Sequence, residues 1–253
     1  MRLGFLADAK RWSVLAVIAL LVASCSEPAD ISPAQEATAP TAPEVAVLPD
    51  AAELTEGLVR LEGKATAEIK VGSEVITVEL DGDKAPITAG NFVDLAQKGV
   101  YDNTIFHRVV TSPEPFVAQG GDPQSKDPNV PNSRLGTGGY IDEATGAERT
   151  IPLEILTEDS DEIVYGTTLP DAQIQSAPVL KHRKGAIAMA RSGTNTASAQ
   201  FYITLADVPF LDGSYAVFGY VTDGMDVVED IQLGDVITSV TITSGGNNLV
   251  TSE

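Results

Sequence analysis

The sequence predicts a mainly β domain, a closed antiparallel barrel with two α-helices. Three observations carry this expectation. Apolar runs of strand length recur at 66–71, 75–80, 185–190, 199–205, 215–221 and 236–242. Only two stretches, 84–99 and 225–233, switch to a helical period. The chain also holds 22 glycines and 15 prolines against 6% aromatics, which suits short strands joined by many turns.

In chain order, the fold is expected to begin near Ala65. "TAEIKV" (66–71) and "VITVEL" (75–80) alternate apolar with polar residues around "GSE", a hairpin signature. "KAPITAGNFVDLAQKG" then puts Ala89, Phe92, Val93 and Ala96 on one helical face, with Pro86 in the first turn and Gly99 at the C-terminal cap. The strand-like runs "GAIAMA", "AQFYITL" and "YAVFGYV" follow. "MDVVEDIQL" places Met225, Val228 and Ile231 together, with Asp223 as its expected cap. "VITSVTI" closes the pattern, and residues 246–253 read as a loose tail. Residues 156–180 are acidic and poorly periodic, and read as a long insertion on the barrel.

The first 24 residues read as a signal peptide. Arg2, Lys10 and Arg11 precede an apolar stretch too short to stay in a bilayer as a spanning helix. That stretch ends in "VASC", which resembles a bacterial lipobox, and Cys25 is the only cysteine of the chain. The resemblance implies lipidation of Cys25 and a membrane anchor. Ser26 stands where aspartate would signal inner-membrane retention, so the periplasmic side of an outer membrane is expected. Residues 25–64 then form the lipidated cysteine and a Pro/Ala-rich tether. The net charge is −20 over 253 residues, and removal of the leader makes it more negative. Such a chain is not a general binder of nucleic acid or of anionic lipid.

The chemistry-bearing residues are few. His107 and His182 are the only histidines, and no second cysteine exists to join them, so no metal site and no cofactor are expected. His107 reads as a core or hydrogen-bonded structural histidine. The acidic cluster at 158–162 reads as solvated surface. No G-x-S-x-G elbow occurs, and "GTGGY" (136–140) lacks the setting of a phosphate loop. What remains is "FHRVVTSPEPFVAQGGD" (106–122), which sets one cation and one amide beside apolar residues. That pattern suits a reaction needing an apolar seat and a fixed hydrogen-bond donor, without a nucleophile.

Taken with "GTGG", "GAIAMARSGTNTASAQFYIT" and "PFLDGSYAVFGYVTDGMDVVEDI", this stretch resembles the cyclophilins, peptidyl-prolyl cis-trans isomerases, over residues 65–245. The resemblance implies an eight-stranded closed barrel capped by two helices, a monomeric state and a set of site residues. Arg108 matches the catalytic arginine and Gln119 its amide partner. Phe116, Val117, Tyr202 and Leu211 match the proline seat. Gly136 matches the bordering glycine loop, Ala190 and Arg191 the pair that grips the substrate backbone, Gln200 the glutamine of the family's Q-F-F strand, and Phe210 and Tyr215 positions near the pocket rim. Val117, Arg191, Tyr202 and Tyr215 depart from the best-known eukaryotic pattern. A hydroxyl at Tyr202, on the pocket floor, needs a partner or water. The implied activity is rotation of X–Pro bonds in unfolded or newly exported polypeptides. The competing expectation is a proline-segment binding or scaffold lipoprotein without turnover.

Overall fold

The computed structural model describes residues 48–252, which lie within one unit running from Val45 to Glu253. The signal peptide, Cys25 and most of the tether lie outside the described residues. In chain order the elements begin with helix α1 (Ala51–Thr55) and strands β1 (Val59–Leu61), β2 (Lys64–Val71) and β3 (Glu74–Asp81). Helix α2 (Pro86–Gln97) precedes β4 (Thr104–Ile105), β5 (Arg108–Val110), β6 (Val117–Gly120), β7 (Glu154–Leu156) and β8 (Ile163–Tyr165). Then come β9 (Ala186–Met189), β10 (Phe201–Thr204), β11 (Val217–Asp223), helix α3 (Met225–Asp230), β12 (Val236–Ser244) and β13 (Leu249–Thr251).

Nine strands form one antiparallel sheet in the order β4-β12-β2-β3-β11-β9-β10-β6-β5. This is a mainly β fold built on a curled sheet with few helices. Where eight strands were expected there are nine. The two edge strands, β4 and β5, are consecutive in the chain and separated only by Phe106 and His107. The β2–β3 hairpin pairs Val71 with Glu74 across Gly72 and Ser73, and Gly72 has φ +60°, a value that favours glycine.

Period-2 alternation divides the side chains of the sheet between two buried groups. Ala118, Ile187, Met189, Phe201, Ile203 and Phe218 belong to the main core, beneath α2. Their neighbours Val117, Ala186, Ala188, Tyr202 and Val217 form a second apolar cluster on the opposite face. Both faces are buried here, which is why "GAIAMA" and "AQFYITL" read as near-continuous apolar runs. Phe92 of α2 anchors the main core, stacked on Tyr101 at 4.9 Å and edge-on to Phe201 at 5.4 Å. Gly90 lets α2 approach β1, since a Cβ there would lie 2.6 Å from the Arg60 backbone.

Helix α2 begins as expected at Pro86, but its N-cap Ala85 offers no side-chain hydrogen bond. The carboxylate of Glu154 supplies it from β7, accepting from Thr88 N at 2.5 Å and Ile87 N at 3.2 Å. Burial pushes the Glu154 carboxyl up to about 7, against the opposing pull of these amide donors.

Several expectations are corrected. Order starts before Ala65, because α1 and β1 precede it, and residues 246–253 are not wholly a loose tail, because β13 pairs with β1 from Val59↔Thr251 to Leu61↔Leu249. Each strand has three residues and gains its partner from the far end of the chain, so neither carries a local signal. The 156–180 segment contributes to a hairpin, β7–β8, with its own small core of Leu153, Ile155, Val164, Leu169 and Ala216. Asp223 does not cap α3; it ends β11, and Gly224 at φ +78° is the cap residue. Among the described residues, no helix is long and apolar enough to cross a membrane.

Candidate active site

Strand register brings the quoted arginine and glutamine together with the pocket tyrosine. Arg108 of β5 lies opposite Gln119 of β6, Gln119 lies opposite Tyr202 of β10, and Tyr202 lies opposite Ala188 of β9. Directly opposed residues share a face, so these side chains stand in one row across four strands. Val117, two residues before Gln119, falls on the same face and is buried.

A cavity of about 230 Å³ opens over this row, lined by Arg108, Phe116, Val117, Gln119, Ala190, Arg191, Tyr202, Leu211 and Tyr215. Its floor is the second apolar cluster and its upper edge is cationic. The Arg108 guanidinium lies 5.5 Å from the Phe116 ring centre and makes a long 3.5 Å contact from Nη1 to Gln119 Oε1. Gln119 Nε2 donates to Gln200 Oε1 at 3.1 Å, and Gln200 Nε2 donates to the Gly138 carbonyl at 2.7 Å. The row of amides therefore runs in one direction, from the guanidinium to the glycine loop.

Gly136 does not line this cavity. It lines a neighbouring one of about 280 Å³ that shares Gln119, Ala190 and Arg191 and adds Gln200 and Glu148. The two cavities adjoin at these three shared residues. Phe210, expected near the pocket, is 71% exposed and stacks on Phe116 at 5.7 Å, outside both linings. Arg191 is held as part of the wall, donating from Nε and Nη2 to the Ser214 carbonyl while stacking on Tyr215 at 4.6 Å. The Ala190 amide is taken by the Gln200 carbonyl at 2.9 Å.

Three residues assigned no role from the sequence support these groups. Asp122, fully buried, accepts from Gly136 N at 2.6 Å, Gly138 N at 3.3 Å and Gln124 N at 2.9 Å, and so pins the glycine loop. Its place in "QGGD" was visible, but its partners lie across a loop. His182 and Asp212 stand behind Tyr202 and supply the partner its hydroxyl requires. His107 packs under the loop, with its Nε2 3.3 Å from the position of a Cβ at Gly136. Its ring nitrogens are buried without a hydrogen-bond partner, so of the two expected structural roles the packed one describes it, and burial lowers its pKa.

The sequence model of the cyclophilin type peptidyl-prolyl cis-trans isomerase family matches residues 66–246. The chain belongs to that family. This cyclophilin is 39% identical over 204 residues to a Synechocystis protein named as a thylakoid lumen peptidyl-prolyl cis-trans isomerase, covering 76% of this chain and 50% of that one. A chloroplast peptidyl-prolyl cis-trans isomerase of Arabidopsis thaliana is 36% identical over 208 residues, covering 75% and 44%. The chain thus spans about half the length of these two relatives. A Helicobacter pylori peptidyl-prolyl cis-trans isomerase is 34% identical over 178 residues, with 70% and 86% covered. In three dimensions the cyclophilin resembles a cyclophilin type isomerase of Cryptosporidium parvum, with a TM-score of 0.53, 26% identity, and coverage of 72% and 98%. A second crystal structure of that protein, obtained in the presence of the dipeptide Ala-Pro, gives a TM-score of 0.52.

Proposed function

We propose that this cyclophilin accelerates cis–trans rotation of X–Pro bonds in extended or unfolded polypeptides. The observation that carries the reading is the row Arg108–Gln119–Tyr202, which sets a guanidinium beside an apolar cavity within a chain of this family. Amide resonance holds an X–Pro bond planar, with a barrier of about 20 kcal/mol, and unaided exchange takes tens of seconds or longer. No covalent bond is broken. In the twisted state the prolyl nitrogen regains its lone pair. Arg108, always charged and carrying rigidly placed donors, would hydrogen-bond that nitrogen, a contact unavailable in the planar ground state.

Phe116, Val117, Tyr202 and Leu211 would hold the proline ring, with Phe210 and Tyr215 at the rim. Gln119 would steer Arg108, with Gln200 behind it. Ala190 and Arg191 would border the substrate backbone, with Gly136 in the adjoining cavity. The curled sheet is read as a barrel closed through Phe106–His107. Loss of one preorganised donor costs about 3 kcal/mol, so Arg108→Ala is expected to slow exchange by two to three decades. NMR exchange spectroscopy on a short Ala-Pro peptide measures this. A drop below threefold overturns the role of Arg108, and no acceleration by the folded native chain favours the proline-binding alternative.

The location belongs to the same proposal. Lumenal and chloroplast relatives, together with the leader and lipobox read from the sequence, support a protein that is exported and lipid-anchored through Cys25 on the periplasmic side of a bacterial membrane. Newly exported chains would be its substrates, and it would act as a monomer. Cys25→Ser is expected to move the protein from the membrane fraction to the soluble one, as read by fractionation.

A further inference from the structure

The floor of the proline cavity is tied to a buried polar chain that the isomerase reading does not use. Asp212 Oδ1 accepts from the backbone N of His182 at 2.7 Å and faces ring Nδ1 at 2.8 Å. An ionised carboxylate accepts only, so Nδ1 carries the ring proton and Nε2 presents its lone pair. That lone pair faces the Tyr202 hydroxyl at 2.9 Å, which therefore donates to it. Tyr202 and His182 are 5% and 2% exposed. The hydroxyl thus points behind the cavity, while the Tyr202 ring lines it. Burial keeps the phenol protonated and lowers the imidazole pKa, consistent with a neutral donor and a neutral acceptor.

The chain also ties two walls together. Asp212 follows directly on the turn Pro209–Leu211, and Leu211 of that turn lines the cavity together with the strand residues Val117, Gln119 and Tyr202. The His182 carbonyl accepts from Val208 N at 2.8 Å, at the start of that turn. A phenylalanine in place of Tyr202 would be held by packing alone. Here the ring is fixed by a directed hydrogen bond whose acceptor is itself held at both ends.

We propose that His182 and Asp212 are positioning residues that anchor Tyr202 through its hydroxyl, and that this anchor sets how tightly the cavity holds a proline ring. The proposal rests on the isomerase reading for its substrate. Protonation of His182 would convert Nε2 from acceptor to donor, with the Tyr202 oxygen accepting, so the contact would reverse direction. Asp212 faces Nδ1, Tyr202 faces Nε2, and Tyr215 meets the imidazole edge-on at 6.5 Å with Arg191 stacked on Tyr215. The chain neighbours turn elsewhere, Lys181 to Glu158 and Arg183 to the Tyr220 ring.

The test uses the full chain, an Ala-Pro peptide and three variants: Tyr202→Phe, Asp212→Asn and the double. Imidazole nitrogen NMR at neutral pH should show His182 in its Nδ1–H form, with an Nε2 shift that changes in Tyr202→Phe. Peptide saturation series should show KM raised at least threefold in Tyr202→Phe while kcat moves less. The double variant should be no worse than the poorer single, because both act on one chain of contacts. An Nε2–H tautomer, an unchanged KM, or fully multiplicative losses would each overturn the anchor. A native chain without turnover defeats the isomerase reading instead. The anchor is then judged by the tautomer and by Ala-Pro binding, where equal affinity of native and Tyr202→Phe overturns it.

Discussion

Burial of Glu154, the carboxyl that caps α2, makes stability depend on pH with a definite sign. The carboxyl is fully buried, and its pKa stands at about 7 in the folded chain against 4.5 for an ordinary glutamate. Below pH 4.5 it is protonated in both states, and its contribution is fully present. Between 4.5 and 7 the unfolded chain releases the proton while the folded chain keeps it, so stability falls as pH rises. Above 7 both states are ionised and the loss is complete. At 1.36 kcal/mol per pH unit, the shift amounts to about 3 kcal/mol. Glu154→Gln removes the titration but keeps an acceptor for one of the two α2 amides. Urea unfolding of native and variant chains at pH 4.5, 6 and 8 isolates the effect, because the other carboxylates cancel in the difference. The native chain should lose about 3 kcal/mol relative to the variant between pH 4.5 and 8. A difference that stays constant within about 0.5 kcal/mol over this range would refute the assignment of the shift to Glu154.

Further outcomes follow from the packing. Asp122→Ala leaves the amides of Gly136, Gly138 and Gln124 without their acceptor. With partial access to water at these amides, a loss of about 2–3 kcal/mol is expected, with faster hydrogen exchange at Gly136 and Gly138. Gly90→Ala drives a methyl into the Arg60 backbone, and denaturant unfolding should show a loss of about 1–3 kcal/mol. Arg108→Lys keeps the charge but not the planar fork, so peptide exchange should stay much slower than in the native chain; near-native exchange would show that charge alone suffices.

The parts of the fold that could be read in advance are those with a local period. Strands β2 and β3 alternate over eight residues each, and α2 carries an apolar face, a proline start and a glycine end. Strands β4 and β5 have two and three residues, too few for any period, and exist because neighbouring strands offer partners. The site followed another logic. Arg108 beside Phe106, Gln200 at a strand start and Phe116 in an apolar run are each unremarkable alone. Only their order along the chain pointed to the family. That order could not reveal Asp122 as the clasp of the glycine loop, nor His182 and Asp212 behind Tyr202, because these pairs are joined through space across intervening strands and turns.

By itself the sequence determined a mainly β fold, the two main helices, the family and most of the residues that line the candidate cavity. Those depend on side-chain chemistry and spacing along the chain. Only the tertiary structure decided that β1 and β13 join the ends of the described chain, that a glutamate from β7 caps α2, and that the Tyr202 hydroxyl has a histidine to donate to. Each of these is a hydrogen bond between residues far apart in sequence, and its partner is fixed by which strands lie side by side.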